Sequence, residues 1–104
     1  MIKQHTITVG FNDKDTKKQE FSTKTILSKI KGILKANTNG YTIRHFNDGG
    51  YRHNDNTYID EKSITIDLMY IEDDQVMKVI NILKHDLNQE SILYTSVELN
   101  GGYV

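Results

Sequence analysis

Residues 6–11 (Thr-Ile-Thr-Val-Gly-Phe) alternate strictly, with Ile7, Val9 and Phe11 on one side and Thr6, Thr8 and Gly10 on the other, the signature of a half-buried strand. A polar stretch, Asn12–Glu20, follows, and Ser22 or Thr23 is placed to cap a helix. There Ile26, Leu27, Ile30, Ile33 and Leu34 recur at helical spacing, with Lys24, Lys31 and Lys35 on the opposite face. Asn37-Thr38-Asn39-Gly40 should end that helix, since Asn and Gly tolerate the left-handed conformation of a helix stop.

The next pattern is again β. Tyr41, Ile43 and His45 alternate with Thr42, Arg44 and Phe46, and the return strand carries Ile64, Ile66, Leu68 and Tyr70 on one face. Asp48-Gly49-Gly50 offers either a tight turn or a bulge. The bulge is preferred, because it lets one long hairpin join residues 41–53 to 57–71, turning through Asn54-Asp55-Asn56. Glu72-Asp73-Asp74 then puts three carboxylates at the start of a second helix, where they meet its free N–H groups and positive dipole end. Val76, Val79, Ile80, Leu83 and Leu87 mark its buried face, and residues 91–99 form the last strand.

This β-α-β-β-α-β order predicts an α+β fold, the ferredoxin-like sandwich: a four-stranded antiparallel sheet with both helices on one face and a long central hairpin. At 104 residues the expectation is one domain spanning 1–104. The second sheet face is left open, and it or its edges are the expected place for a dimer contact or a ligand.

Charge adds one thing that composition hides. Residues 1–54 carry ten basic against four acidic side chains, +6, and residues 55–104 carry three against ten, −7. A chain so divided can present surfaces that steer partners by long-range field. With no cysteine, disulfides, thiolate catalysis and Cys-based zinc sites are all absent. No stretch approaches the ~20 apolar residues of a membrane span, so the chain is expected to be soluble and cytoplasmic.

Motifs for chemistry are sparse. No pair among His5, His45, His53 and His85 has metal-ligand spacing, so neither metal nor cofactor is expected. Asn12-Asp13-Lys14-Asp15 starts like a calcium loop, but Lys17 and Lys18 stand where the loop needs ligands and glycine. No nucleophile elbow exists, and Gly49-Gly50 precedes a strand rather than a helix, which excludes a phosphate-cradling loop. Sheet tyrosines beside Arg44 and Arg52 suit single-stranded nucleic acid, but the RNA-binding consensus is missing and Asp60, Glu61 and Asp67 would repel phosphates.

Two segments, Val9–Thr16 and Leu87–Leu93, resemble small uncharacterised proteins carried by phages and mobile elements of low-GC Gram-positive bacteria, in which a first strand enters an Asn-Asp-rich loop and a Gln-Glu-Ser step precedes the last strand. The resemblance implies a ferredoxin-like accessory protein without catalytic residues to carry over. Many such proteins inhibit host defence, anti-CRISPR proteins among them, and a phage-encoded protein would act in the host cytoplasm.

Three functional expectations follow. In the first, a non-enzymatic inhibitor or regulator binds a host protein, one that itself binds nucleic acid, through Asp55, Asp60, Glu61, Asp67, Glu72, Asp73 and Asp74, which mimic phosphates. The alternative is a small-ligand or nucleotide-binding module, dimeric through the sheet, using Tyr41, Arg44, His45, Arg52, His53 and Tyr58. A metal-dependent nuclease on His45, His53 and the carboxylates ranks last.

Overall fold

A computed structural model describes residues 2–104. Its elements run β1 (Ile2–Gly10), α1 (Thr23–Asn37), β2 (Thr42–Arg52), β3 (Tyr58–Met69), α2 (Asp73–Asp86) and β4 (Leu93–Leu99). The sheet order is β2-β3-β1-β4 and all three pairings are antiparallel, the ferredoxin-like arrangement that the element order predicts. The helix-facing side of the sheet supplies Ile7, Val9, Ile64, Ile66 and Leu68, and the helices supply Ile26, Ile30, Leu34, Val76, Val79, Ile80 and Leu83, all in one buried cluster. Each of these positions belongs to an apolar stripe of period 2 or 3.6, so burial alone fixes the register of strands against helices.

Local chemistry differs from the expectation at three places. Helix α1 does not stop through a left-handed Asn or Gly: Thr38 is extended, and its N–H and Oγ1 both donate to the Leu34 carbonyl, while Asn37 Nδ2 donates to that of Ile33. Two short polar side chains thus satisfy the free carbonyls that a glycine stop would satisfy through backbone. Ahead of α2, the Glu72 side chain makes no cap bond; Asp74 Oδ1 accepts from the Gln75 N–H, and Asp73 turns back toward β1.

The bulge lies at Arg44, not at the glycines. Ile43 pairs with Ile66 and His45 with Thr65, leaving Arg44 as the extra residue, whereas Gly49 and Gly50 pair regularly with Glu61 and Asp60. Because the bulge switches side-chain parity, His45 leaves the face of Tyr41 and Ile43, and Phe46 takes its place opposite Ile64. Gly50 is needed for space: a Cβ there would stand 2.6 Å from the Tyr58 ring and 3.0 Å from the Ile59 carbonyl. The predicted turn is where the sequence puts it, with Asn56 left-handed between His53 and Thr57.

Strand β1 pairs with β3 only over Ser63–Met69, so residues 48–62 leave the sheet as a two-stranded arm. This arm draws the molecule out to 47 × 25 × 23 Å.

Candidate functional site

The loop after β1 and the loop before β4, 75 residues apart in sequence, are tied together. Asn88, in the left-handed conformation, donates through Nδ2 to Asp13 Oδ2 (2.8 Å) and Asp15 Oδ2 (3.0 Å), and its carbonyl accepts from the Lys14 N–H. Gln89 is buried and donates to the Asn12 carbonyl at 2.6 Å. The two segments that carry the resemblance are therefore a single structural unit.

Asn12 also reaches the other way, into the root of the arm. Its Nδ2 donates to the carbonyls of Asp60 (2.9 Å) and Lys17 (3.3 Å), and its N–H donates to Glu61 Oε2. Gly10 makes room for that carboxylate, since any Cβ there would collide with it. Between loop and arm runs an open groove of about 540 Å³, lined by Asn12, Lys17, Lys18, Gln19 and the arm residues Asp48, Gly49, Asp60, Glu61 and Lys62. Its volume falls within the roughly 300–1,000 Å³ typical of small-molecule sites. Three lysines and three carboxylates line it, and among the described residues none of the six is engaged in a salt bridge. Here the basic first half and the acidic second half of the chain face each other.

The seven acids proposed for a partner surface divide among three places. Asp55, Asp60 and Glu61 lie on the arm; Asp55 orders the tip by accepting from the Thr57 N–H at 2.9 Å. Asp67 lies on the open sheet face, largely buried, accepting from Arg44 Nη2 at 2.6 Å and from Thr6 Oγ1 at 2.8 Å. Glu72, Asp73 and Asp74 stand at the start of α2, beyond the opposite end of β3. The six ligand residues divide likewise. Arg52 lies over the Tyr58 ring, 5.5 Å from its centroid, beside His53 at the arm tip; Arg44 and His45 are on the open face; Tyr41 packs against the core edge. On the open face, His45, Asn47, Ser63 and Thr65 form one hydrogen-bonded row, with Asn47 Oδ1 2.7 Å from His45 Nδ1 and Asn47 Nδ2 donating to both hydroxyls.

Sequence patterning did not single out the cluster around His5. This histidine is fully buried on the helix-facing side of β1, with Nδ1 2.8 Å from Tyr94 Oη and the two rings stacked. Its Nε2 has no hydrogen-bond partner and faces Asp73 Oδ1 at 3.6 Å, while Asp73 Oδ2 accepts from Lys3 Nζ at 2.9 Å. The available signal was parity, because His5 continues the Ile7, Val9, Phe11 stripe.

The hydrogen bond and charge of Lys3 hold the Asp73 carboxyl below its ordinary value, and bonds from Asn88 and from the Thr57 N–H do the same for Asp13 and Asp55. Each folded-state value lies below the unfolded one, so the stabilisation is present above the ordinary carboxylate value of about 3.9 and is lost as pH falls through the lowered values. Urea midpoints measured from pH 6 downward should fall on that acid limb, and Asp73→Asn should make the fall shallower.

No family model matches this chain, and no curated protein matches it. Solved structures do. A phage SAM lyase in complex with S-methyl-5'-thioadenosine superposes with a TM-score of 0.72 at 18% identity, over 93% of this chain and 81% of the lyase chain. A phage SAM lyase in the apo state gives 0.66 at 17% identity, over 91% and 78%. What is shared is the fold. Among the described residues, no helix is long and apolar enough to cross a membrane.

Proposed function

We propose that this protein binds a small nucleoside bearing a sulfur-linked side chain, the chemical class of S-adenosylmethionine and S-methyl-5'-thioadenosine, in the groove at the root of the arm. The observation that carries this reading is the coincidence of a fold shared with a phage SAM lyase and a groove lined by unpaired charges of both signs. A sulfonium nucleoside with an amino-acid tail presents a carboxylate, an ammonium and a cationic sulfur, which call for lysines and carboxylates side by side. This reading keeps the class of the ligand-binding alternative drawn from the sequence but not its residues, since none of Tyr41, Arg44, His45, Arg52, His53 and Tyr58 lines the groove.

A thermal-shift titration with S-adenosylmethionine and S-methyl-5'-thioadenosine, with adenosine as control, tests it. Ligand at about 100 times Kd adds roughly 2.7 kcal/mol, which for a domain of this size raises Tm by on the order of 10 °C. Lys62→Glu should abolish the shift, and no shift with either sulfur nucleoside would refute the reading. Chromatography of the same S-adenosylmethionine samples for S-methyl-5'-thioadenosine reports whether binding leads to turnover.

A second reading is a phage accessory inhibitor, anti-CRISPR proteins being the example, that holds a host protein through acidic side chains. The exposure of Asp55 and Asp60 on the projecting arm favours it, whereas Asp67 and Asp73 are already paired with Arg44 and Lys3. Recovery of a stoichiometric partner that is lost on Asp55→Lys/Asp60→Lys would support it.

A further inference from the structure

Strand β4 is a sheet edge with nothing on its outer side. It pairs with β1 alone, and among the described residues no backbone hydrogen bond outside that ladder involves residues 93–99. The chain beyond it folds away: Tyr103 stacks on Tyr70 with ring centroids 5.5 Å apart, so the tail crosses the end of the sheet instead of covering its edge. Natural edge strands are guarded by charged side chains, lysine above all, by proline, a bulge or extreme shortness. This seven-residue strand, Leu-Tyr-Thr-Ser-Val-Glu-Leu, has no lysine or proline and pairs with β1 without a register shift, and its single charge, Glu98, stands one residue from its end. Leu93 is 66% exposed, Val97 51% and Leu99 39%, all on the open sheet face, and Ser96 and Glu98 are uncovered on the helix side as well.

We propose that two copies of this chain pair β4 against β4 about a two-fold axis at Ser96, forming one continuous eight-stranded sheet. The strand is self-complementary in that register. Placing Ser96 opposite its own copy sets Leu93 against Leu99, Thr95 against Val97 and Tyr94 against Glu98, using all seven residues. Apolar side chains then meet apolar or β-branched ones on the open face, and no like charges stand directly opposite. Shifting the register by two residues in either direction breaks the Leu-Leu and Tyr-Glu pairs. The axis lies at the sheet edge farthest from β2 and the arm, so dimerisation leaves the groove at the arm root open.

Cross-linking tests the register directly, because the chain has no cysteine of its own. Directly opposed residues in an antiparallel pair have Cα atoms roughly 4.5–5.5 Å apart, within disulfide range. Ser96→Cys should therefore form a reducible covalent dimer rapidly under mild oxidation, while His45→Cys, also exposed but on β2, should not. Light scattering of the unmodified protein should give twice 12.0 kDa. Val97→Lys should return it to one chain mass with an unchanged far-ultraviolet CD spectrum. A single-chain mass at every concentration, a trimeric or larger mass, or Ser96→Cys cross-linking no faster than His45→Cys would overturn the proposal.

Discussion

Ile30→Ala is expected to lower the unfolding free energy by about 3–4 kcal/mol, measured as a shift of the urea midpoint at constant m-value. Ile30 lies in the middle of α1 with no exposed surface, in the cluster where α1 meets β1, β3 and α2. Truncation removes the transfer free energy of three carbon atoms and leaves a cavity that neighbours on two layers cannot both close. The helix layer offers little slack, since Leu34, one turn on, and Val79 and Leu83 on α2 are also fully buried. Against the roughly 5–15 kcal/mol total of a small domain, this loss is large. Leu27→Ala, on the same helix but only partly buried, should cost about half as much.

That contrast also marks which parts of the molecule were legible in sequence. Ile30 and Leu34 could be placed in the core because a 3.6 period and a helix-capping serine agree, and Ile64, Ile66 and Leu68 because a period of 2 persists for three repeats. Arg44 could not be read as a bulge. A bulge adds one residue without an obligatory side-chain signature, and the neighbouring Asp48-Gly49-Gly50 drew the assignment because glycine is the commoner marker. The actual demand on Gly50 is steric and comes from Tyr58, a contact visible only once the hairpin register is known. The same limit governs the site. In sequence, Asn12, Lys17 and Lys18 belong to a polar connection, and Asp60 and Glu61 to the acids of a candidate partner surface. Only the return of β3 alongside β1 places them across one groove. The charge division between the halves of the chain was legible; that the fold folds it onto itself at the arm root was not.

Asn12 is the hinge between that groove and the core, and Asn12→Asp should be the most damaging isosteric substitution in the loop. The change alters no volume but replaces the donating Nδ2 with an acceptor. The carbonyls of Asp60 and Lys17 lose their donor, and a negative charge is set beside Glu61 in a position only 8% exposed. Unsatisfied buried groups cost about 1–3 kcal/mol each, and the arm has few other ties, because two paired strands without a third neighbour are marginal on their own. Asn12→Asp should therefore lower stability by about 2–3 kcal/mol at neutral pH and raise hydrogen exchange through residues 48–62 well above that of residues 63–69. Protonating the introduced carboxyl restores one donor, so mild acid should narrow the gap to the unmodified protein, whereas Asn12→Leu, which never carries a donor or a charge, should show no such recovery. Loss of sulfur-nucleoside binding in Asn12→Asp, with binding retained in Asp73→Asn at the far end of β3, would tie the ligand to the arm root through the same residue that anchors the arm.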